Sequence, residues 1–443
     1  MYLGERVYKR EMTRRDFLWL VSASTLGTLA SCAVNPVTGK RQLMLMSEDS
    51  EIKIDNENSP HQFSADYGKS NDSSLNQYLT FVGSKMASCT HRPNVPYSFR
   101  VVNAVYVNAY AFPGGSIAVT RGILLSLGNE AELAGLLGHE LGHVNARHTA
   151  ERMSKGMILN FVVAGLSAFT SLKDKKYVPI AAGLGGIGAG MLLARYSRDD
   201  ERQADSLGME YMNRAGHNPN GMVGLMEMLK GLSTHKPGTI EIMFSTHPMS
   251  EERYHNAKNA IQKKYLQVMK KNMYRDRYMD KTAKLRSIKT AIESMQNGEK
   301  MMLQKKFLLA EQEFNRALKQ APYDYAGLVM MAKCQIALNN NTKAQEYAKL
   351  AKQLNTKEAQ AYHIDGIAKL SAKQFSSAQQ DFSTYEKLLP GNPNTIFLKG
   401  ISLEGMQKKE ESAHEYMRYL KIVNNDEQAQ HARQRLISWG YIN

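Results

Sequence analysis

Cysteine is nearly absent, with three in 443 residues, too few to frame a fold with disulfides. Acidic side chains are in deficit too: 42 Asp and Glu stand against 57 Lys and Arg, a formal net charge of +15. That balance invites a nucleic-acid partner, yet no nucleic-acid motif occurs, and many of the basic residues fall between Lys258 and Lys289. That helical-looking stretch reads as a solvated face, with contact to anionic lipid or acidic partners as the sharper alternative. Long apolar runs are missing as well. The uncharged segments 156–172 and 177–194 are each somewhat short of the ~20 residues a spanning helix needs, and the second holds Pro179 and five glycines. They read as apolar helices beside a cleft or touching a membrane surface, with a membrane hairpin as the alternative. At 43% hydrophobic and 22% charged residues, the chain is globular and fits two or three domains.

What is present is sharper. Residues 134–148, AGLLGHELGHVNARH, contain His139, Glu140 and His143 in an HExxH arrangement. On a helix the two histidines stack on one face, where two imidazoles hold a single ion, with Glu140 beside them. Leu133, Leu136, Leu137, Leu141 and Val144 give an apolar stripe that argues for burial. Gly138 and Gly142 each weaken a helix by roughly 1 kcal/mol relative to alanine, so close approach of another backbone or of substrate is expected to repay them. The plain alternative is a helix with surface histidines. Downstream, ARYSRDDERQADSLGMEYM offers Glu201 as a third ligand, completing the three that a catalytic zinc needs. Asp205, one turn on, is placed to accept a hydrogen bond from the second nitrogen of a ligating imidazole. Alternatively, Asp199, Asp200 and Glu201 are simply acids at the positive end of a helix.

These segments, together with NPVTGKRQLMLMSEDSE (35–51), VNAYAFPGGSIAVTRGIL (107–124) and STHPMSEER (245–253), resemble in order those of the HtpX-like and prenyl-protease-like zinc metallopeptidases, and within them the soluble periplasmic branch. The resemblance implies one Zn2+ per chain on His139, His143 and Glu201, with Glu140 as general base. It also implies that His247 reaches the zinc, either closing the site as a switch or assisting the oxyanion; from the residues alone His247 reads as a surface histidine held in a turn by Pro248. Clients among misassembled outer-membrane β-barrel proteins, and contact with their assembly machinery, follow from the same resemblance. The stretch VNAYAFPGGSIAVT reads as strand, turn and strand, either a plain hairpin or an edge to which an extended peptide adds.

The first 31 residues read as an export address. Arg14-Arg15 followed by Phe17-Leu18 resembles a twin-arginine signal. Leu29-Ala30-Ser31-Cys32 looks like a bacterial lipobox, implying cleavage before Cys32 and acylation of its thiol, with an uncleaved anchor as the alternative. Ala33 gives no aspartate retention signal, which favours the outer membrane. Cys89 and Cys334 then remain, read as two buried free thiols in preference to a disulfide joining two domains.

The C-terminal third repeats every 34 residues: Ala310, Ala344, Ala378 and Ser412 share one column, Gly298, Ala332, Gly366 and Gly400 a second, and Phe314, Ala348, Phe382 and Tyr416 a third. The pattern resembles tetratricopeptide repeats, weaker in the second unit, whose stacked helix pairs form a groove for a partner or merely stabilise the chain. The expected organisation is an N-terminal linker (32–60), an α+β zincin-type metallopeptidase domain, mostly helical with a small sheet (61–257), a basic helical connector (258–290), an α-helical solenoid of four repeats (291–426) and a capping helix (427–443). The expected function is a lipid-anchored periplasmic zinc endopeptidase acting on misfolded envelope proteins, with no nucleic-acid partner. Its rival is an envelope chaperone whose zinc site is silent.

Overall fold

The computed structural model describes residues 32–155, 195–235 and 237–442. The export signal and the two uncharged segments lie outside the described residues. Near the start, β1 (Cys32–Val34) pairs antiparallel with β2 (Arg41–Leu43). The Asn35 side chain shapes the turn between them by accepting from Val37 N at 2.8 Å and Thr38 N at 3.1 Å. After α1 (Glu48–Ala65) and α2 (Ser73–Ala87) comes a three-stranded sheet of β3 (Ser98–Val102), β4 (Ala109–Ala111) and β5 (Ser116–Thr120). The strand order is β3-β5-β4, with β3 parallel and β4 antiparallel to β5, so β4 is an edge among the described residues. Gly115 turns the chain into β5 at φ 102°, where a side chain is disfavoured.

Beneath the sheet, α3 (Arg121–Ser126) leads to α4 (Glu130–Asn145), the HExxH helix. Asn129 caps it by accepting from Glu132 N at 2.9 Å, and the Glu132 carboxylate accepts from Gly128 N and the Asn129 side chain in return. All five residues of the apolar stripe are buried. Across α4 runs α5 (Arg198–Arg214), opened by a capping box between Ser197 and Asp200. A Cβ at Gly138 would lie 2.9 Å from Gly208 O, and one at Gly142 would lie 2.8 Å from Ala204 Cα. Close backbone approach is therefore what repays the two helix-weakening glycines. α6 (Asn220–His235), α7 (Pro237–Thr246) and α8 (Glu251–Lys264) complete this half.

The basic stretch is more than a solvated spacer. Its helix α9 (Arg275–Ser287) exposes Lys281 and Lys284 but buries Tyr278, Thr282 and Leu285. The Tyr278 hydroxyl donates to Leu124 O at 2.6 Å. Four helix pairs follow: α10 (Lys289–Leu303) with α11 (Phe307–Gln320), α12 (Tyr325–Ala337) with α13 (Asn341–Leu354), α14 (Gln360–Ser371) with α15 (Phe375–Leu388), and α16 (Pro393–Gly405) with α17 (Lys409–Leu420). A last helix, α18 (Glu427–Ser438), packs on the end. One hydrophobic core runs from Tyr67 through α4 and α5 to Ile364 in the third pair. The two halves are also joined by a buried Arg121–Asp324 ion pair, by Tyr67 donating to Glu299 at 3.1 Å and by Gln296 donating to Val105 O at 2.6 Å. Cys334 is buried and Cys89 only half-buried; both are free.

Within each pair the columns are sterically complementary. Gly298 faces the ring of Phe314; a Cβ at Gly366 would lie 2.6 Å from the Phe382 ring, and one at Gly400 would lie 2.6 Å from the Tyr416 ring. The second unit has Ala332 and Ala348 in these columns, so its weaker match is a paired exchange of a small and a large residue for two of medium size. The charged columns change sign between neighbours. Lys352 pairs with Asp365 and, at 2.9 Å, with Asp381; one repeat on, Glu386 and Glu415 lie 2.5 and 3.0 Å from Lys399. One repeat earlier the same columns hold Met331, in the core, and Leu318 and Tyr347, partly buried against it. Mispairing by one repeat would oppose like charges or bury an unpaired one, so these columns fix the register. Gly366→Ala is expected to destabilise the chain by about 1–3 kcal/mol through overpacking against Phe382, although alanine is the better helix former by about 1 kcal/mol. Chemical denaturation reads the sign, and a stabilised variant would contradict the steric account.

Candidate metal centre

The crossing of α4 and α5 sets Glu201 and Asp205 against the two histidines of α4. His139 Nε2 and His143 Nε2 are 3.1 Å apart, and Glu201 oxygens lie 3.6 Å from the first and 3.5 Å from the second. His247, just past the end of α7, places Nδ1 3.2 Å from His139 Nε2 and 3.1 Å from Glu201 Oε1. Ligand atoms of all four buried residues lie within 4.8 Å of one another. Two donors each 2.0–2.1 Å from one tetrahedral ion sit about 3.3–3.4 Å apart, so the set fits an ion of zinc's size.

Hydrogen bonding behind the ligands makes the same point. His139 Nδ1 lies 2.9 Å from Asp205 Oδ1. Arg253 forks onto that carboxylate through Nε and Nη2, each at 2.7 Å. Burial alone would raise the Asp205 carboxyl, but Arg253 holds it below the ordinary carboxylate range. An ionised Asp205 only accepts, so His139 carries a proton on Nδ1; against the effect of burial, Glu201 and Asp205 push this imidazole up, and exchange of its second proton for a cation bares Nε2 inward. His143 Nδ1 meets His148 Nδ1 at 2.9 Å, and His148 Nε2 donates to Gln203 Oε1 at 3.0 Å. That chain makes His148 Nδ1 the acceptor and His143 Nδ1 the donor, leaving His143 Nε2 bare. Burial holds the His143 imidazole well below its usual pKa, in the neutral form that ligates. The Glu201 carboxyl is kept low against the effect of burial, first by His247 and then by His139. Its Oε2 is 2.5 Å from Arg253 Nη1. A bare His143 nitrogen, the His139 imidazole and a carboxylate thus converge on one point, where a cation that displaces the His139 proton meets all three.

Glu140 is buried beside this set, and neither of its carboxylate oxygens has a hydrogen-bond partner among the described residues. The nearest imidazole, His247 Nε2, is 3.9 Å from Oε1. Burial pushes the Glu140 carboxyl up, toward the range of a group that accepts and returns a proton.

Residues 73–261 match peptidase family M48. That segment is similar to M48 peptidases. Over 194 residues it is 28% identical to the beta-barrel assembly-enhancing protease of Escherichia coli (strain K12), covering 43% of this chain and 39% of that protein. Metalloprotease YcaL of the same strain is 32% identical over 166 residues, 38% of this chain and 63% of that one. The chain thus matches well under half the length of the first relative. Among solved structures it is similar to YrrB, a TPR protein with an unusual peptide-binding site, at a TM-score of 0.32 and 16% identity over 47% of this chain and 99% of that one. The M48 family implies a divalent metal, and the donor set fits one.

Sequence reading assigned no role to Arg253, His148, Gln203 or Tyr196. Arg253 lies in the STHPMSEER segment, but its pairing with Asp205 spans 48 residues and leaves no periodic trace. His148 had a signal, five residues beyond His143 on the same stretch of chain. Tyr196 stacks on the His143 ring with centroids 3.8 Å apart, and its hydroxyl lies 3.0 Å from Thr149 Oγ1. Asp205→Ala and His148→Ala are each expected to weaken zinc affinity by roughly 10 to 100-fold, because each fixes a ligating imidazole from behind. Competition with a chromophoric chelator measures this, and wild-type affinity in both variants would remove the role given to these partners.

Proposed function

We propose that this protein is a zinc-dependent endopeptidase of the bacterial cell envelope, with His139, His143 and Glu201 as ligands and Glu140 as general base. The observation that carries the reading is a buried set of ligating side chains that fits one ion, beside a buried carboxylate with no hydrogen-bond partner among the described residues. When bound, zinc supplies a Lewis acid that makes water nucleophilic near neutral pH. Glu140 takes the proton of the attacking water and hands it to the leaving amine. Asp205 and His148 hold the two imidazoles in the tautomer that ligates. The substrate is an extended peptide that adds to the edge strand β4, which packs against α4 and so lies beside the metal ligands.

The finer reading follows the E. coli relative, whose name associates it with β-barrel assembly. On that reading the clients are misassembled outer-membrane β-barrel proteins, recruited or delivered by the groove of the repeat solenoid, which also contacts the assembly machinery. The chain is anchored in the periplasm by lipid on Cys32, at the outer membrane. Among the described residues no helix is long and apolar enough to cross a membrane. Glu140→Gln is expected to keep about one zinc per chain and lose peptide cleavage. Equal cellular function of this variant and wild type would favour an envelope chaperone with a silent site.

His247 supports a second, regulatory reading. Its Nδ1 lies as close to the other donors as they lie to one another, so it is placed to fill the fourth position that a catalytic zinc keeps for water. In that role His247 holds the enzyme latent, and its loop must move before turnover. His247→Ala then raises basal peptide hydrolysis with zinc content intact. A fall in kcat of about 10² to 10³ would assign it to the oxyanion instead, and no change at all would leave it a buried bystander.

A further inference from the structure

Between α8 and α9 the chain makes a short turn with the sequence KKYLQVMKK, Lys263 to Lys271. A single 3-10 turn, Leu266–Val268, sits at its centre. Leu266 is 61% and Met269 41% exposed, an unusual outlay of apolar surface on a tight turn. Two lysine pairs, Lys263 with Lys264 and Lys270 with Lys271, bracket these side chains, and none of the four makes an ion pair among the described residues. The turn is held rigidly against the peptidase half. Asn218 donates to Met269 O at 3.1 Å and to Lys271 O at 2.7 Å, and Ala131 N, in the first turn of α4, donates to Met273 O at 3.2 Å. Its apolar tip is therefore presented and not a product of fraying.

From this we infer that the turn is a docking wedge for an anionic phospholipid bilayer. Leu266 and Met269 enter the boundary between headgroups and acyl chains, Tyr265 lies at headgroup level, and the four lysines meet lipid phosphates. The pattern argues for a bilayer over a protein partner, because apolar tips ringed by unpaired cations match a surface that is negative outside and apolar just beneath. A folded protein would bury the two apolar tips only with an apolar pocket at the centre of an acidic rim, whereas every anionic bilayer offers that arrangement. The inference is independent of the peptidase reading and of acylation at Cys32. Its consequence is orientation: the backbone bond to α4 and the two bonds from Asn218 fix the angle at which the metal centre faces the membrane.

The test is flotation of the purified full-length chain carrying Cys32→Ala, so that no acyl chain contributes, with vesicles of phosphatidylglycerol and phosphatidylethanolamine at constant ionic strength. A fourfold reversal, Lys263→Glu, Lys264→Glu, Lys270→Glu and Lys271→Glu, is compared with a control carrying the same charge change at exposed solenoid lysines, Lys343→Glu, Lys349→Glu, Lys357→Glu and Lys373→Glu. The turn variant is expected to lose about 100-fold or more in partitioning, as each cation near an anionic surface contributes a factor of about five. The control is expected to lose far less. Leu266→Ser with Met269→Ser, which leaves charge alone, is expected to lose roughly tenfold or more. Equal loss in the two charge variants would reduce the effect to net charge and overturn the inference. So would binding by the turn variants as tight as wild type, which would place membrane contact elsewhere in the chain.

Discussion

The rest of the site depends on one helix crossing. How closely α4 and α5 approach decides where a carboxylate on one falls relative to the imidazoles on the other. Gly138 and Gly142 on α4 meet Gly208 and Ala204 on α5, and the approach leaves no room for a Cβ at either α4 position. The helix-propensity cost of the two glycines is offset by burial on both helices: Leu136, Leu137 and Leu141 are inaccessible, as is Ala204. Once the crossing is fixed, Glu201 and Asp205, one turn apart on α5, fall opposite His139 and His143, one turn apart on α4. Fold and site are thus one geometric solution.

Electrostatics then decides what the cluster is for. Four titratable groups packed at 3 to 4 Å in a buried place would ordinarily be a liability, because donors that face one another lose their water and gain no partner. Here the outer partners sharpen that conflict. Asp205, kept ionised by Arg253, and His148, held by Gln203, commit the outer nitrogens of both ligating imidazoles as donors. The inward nitrogen of His143 is left with a lone pair, facing the His139 imidazole and a Glu201 carboxylate that also meets His247 and Arg253. Glu140, buried with both oxygens unsatisfied among the described residues, adds a base to a site that fits a cation.

Much of this was legible in the chain because it is local. His139, Glu140 and His143 share one helical turn, and Glu201 with Asp205 share another, so the 3.6-residue period placed each set on a face. The repeats were legible through their 34-residue period, and the second unit looked weak only because Ala332 and Ala348 replace a glycine and an aromatic together. What stayed hidden was non-local or not encoded by residue type. The Arg253 clamp and the Arg121–Asp324 bridge join distant segments. The intra-pair turns place Lys305, Asn339, Lys373 and Gln407 in the left-handed region, at φ of 58 to 64°, where glycine would have announced the turn and these residues do not. The basic stretch read as a solvated face because charge dominates its composition, although Tyr278 and Leu285 at helical spacing fasten it to the peptidase core.

The central claim is that the buried set is a divalent metal centre of two or three imidazoles and a carboxylate, with no cysteine. X-ray absorption at the zinc edge, on metal-free protein given one equivalent of zinc, tests it most directly. The account predicts full uptake and a first shell of nitrogen and oxygen only, at about 2.0–2.1 Å with imidazole scattering beyond it, whereas sulfur at about 2.3 Å or failure to retain the ion would contradict it.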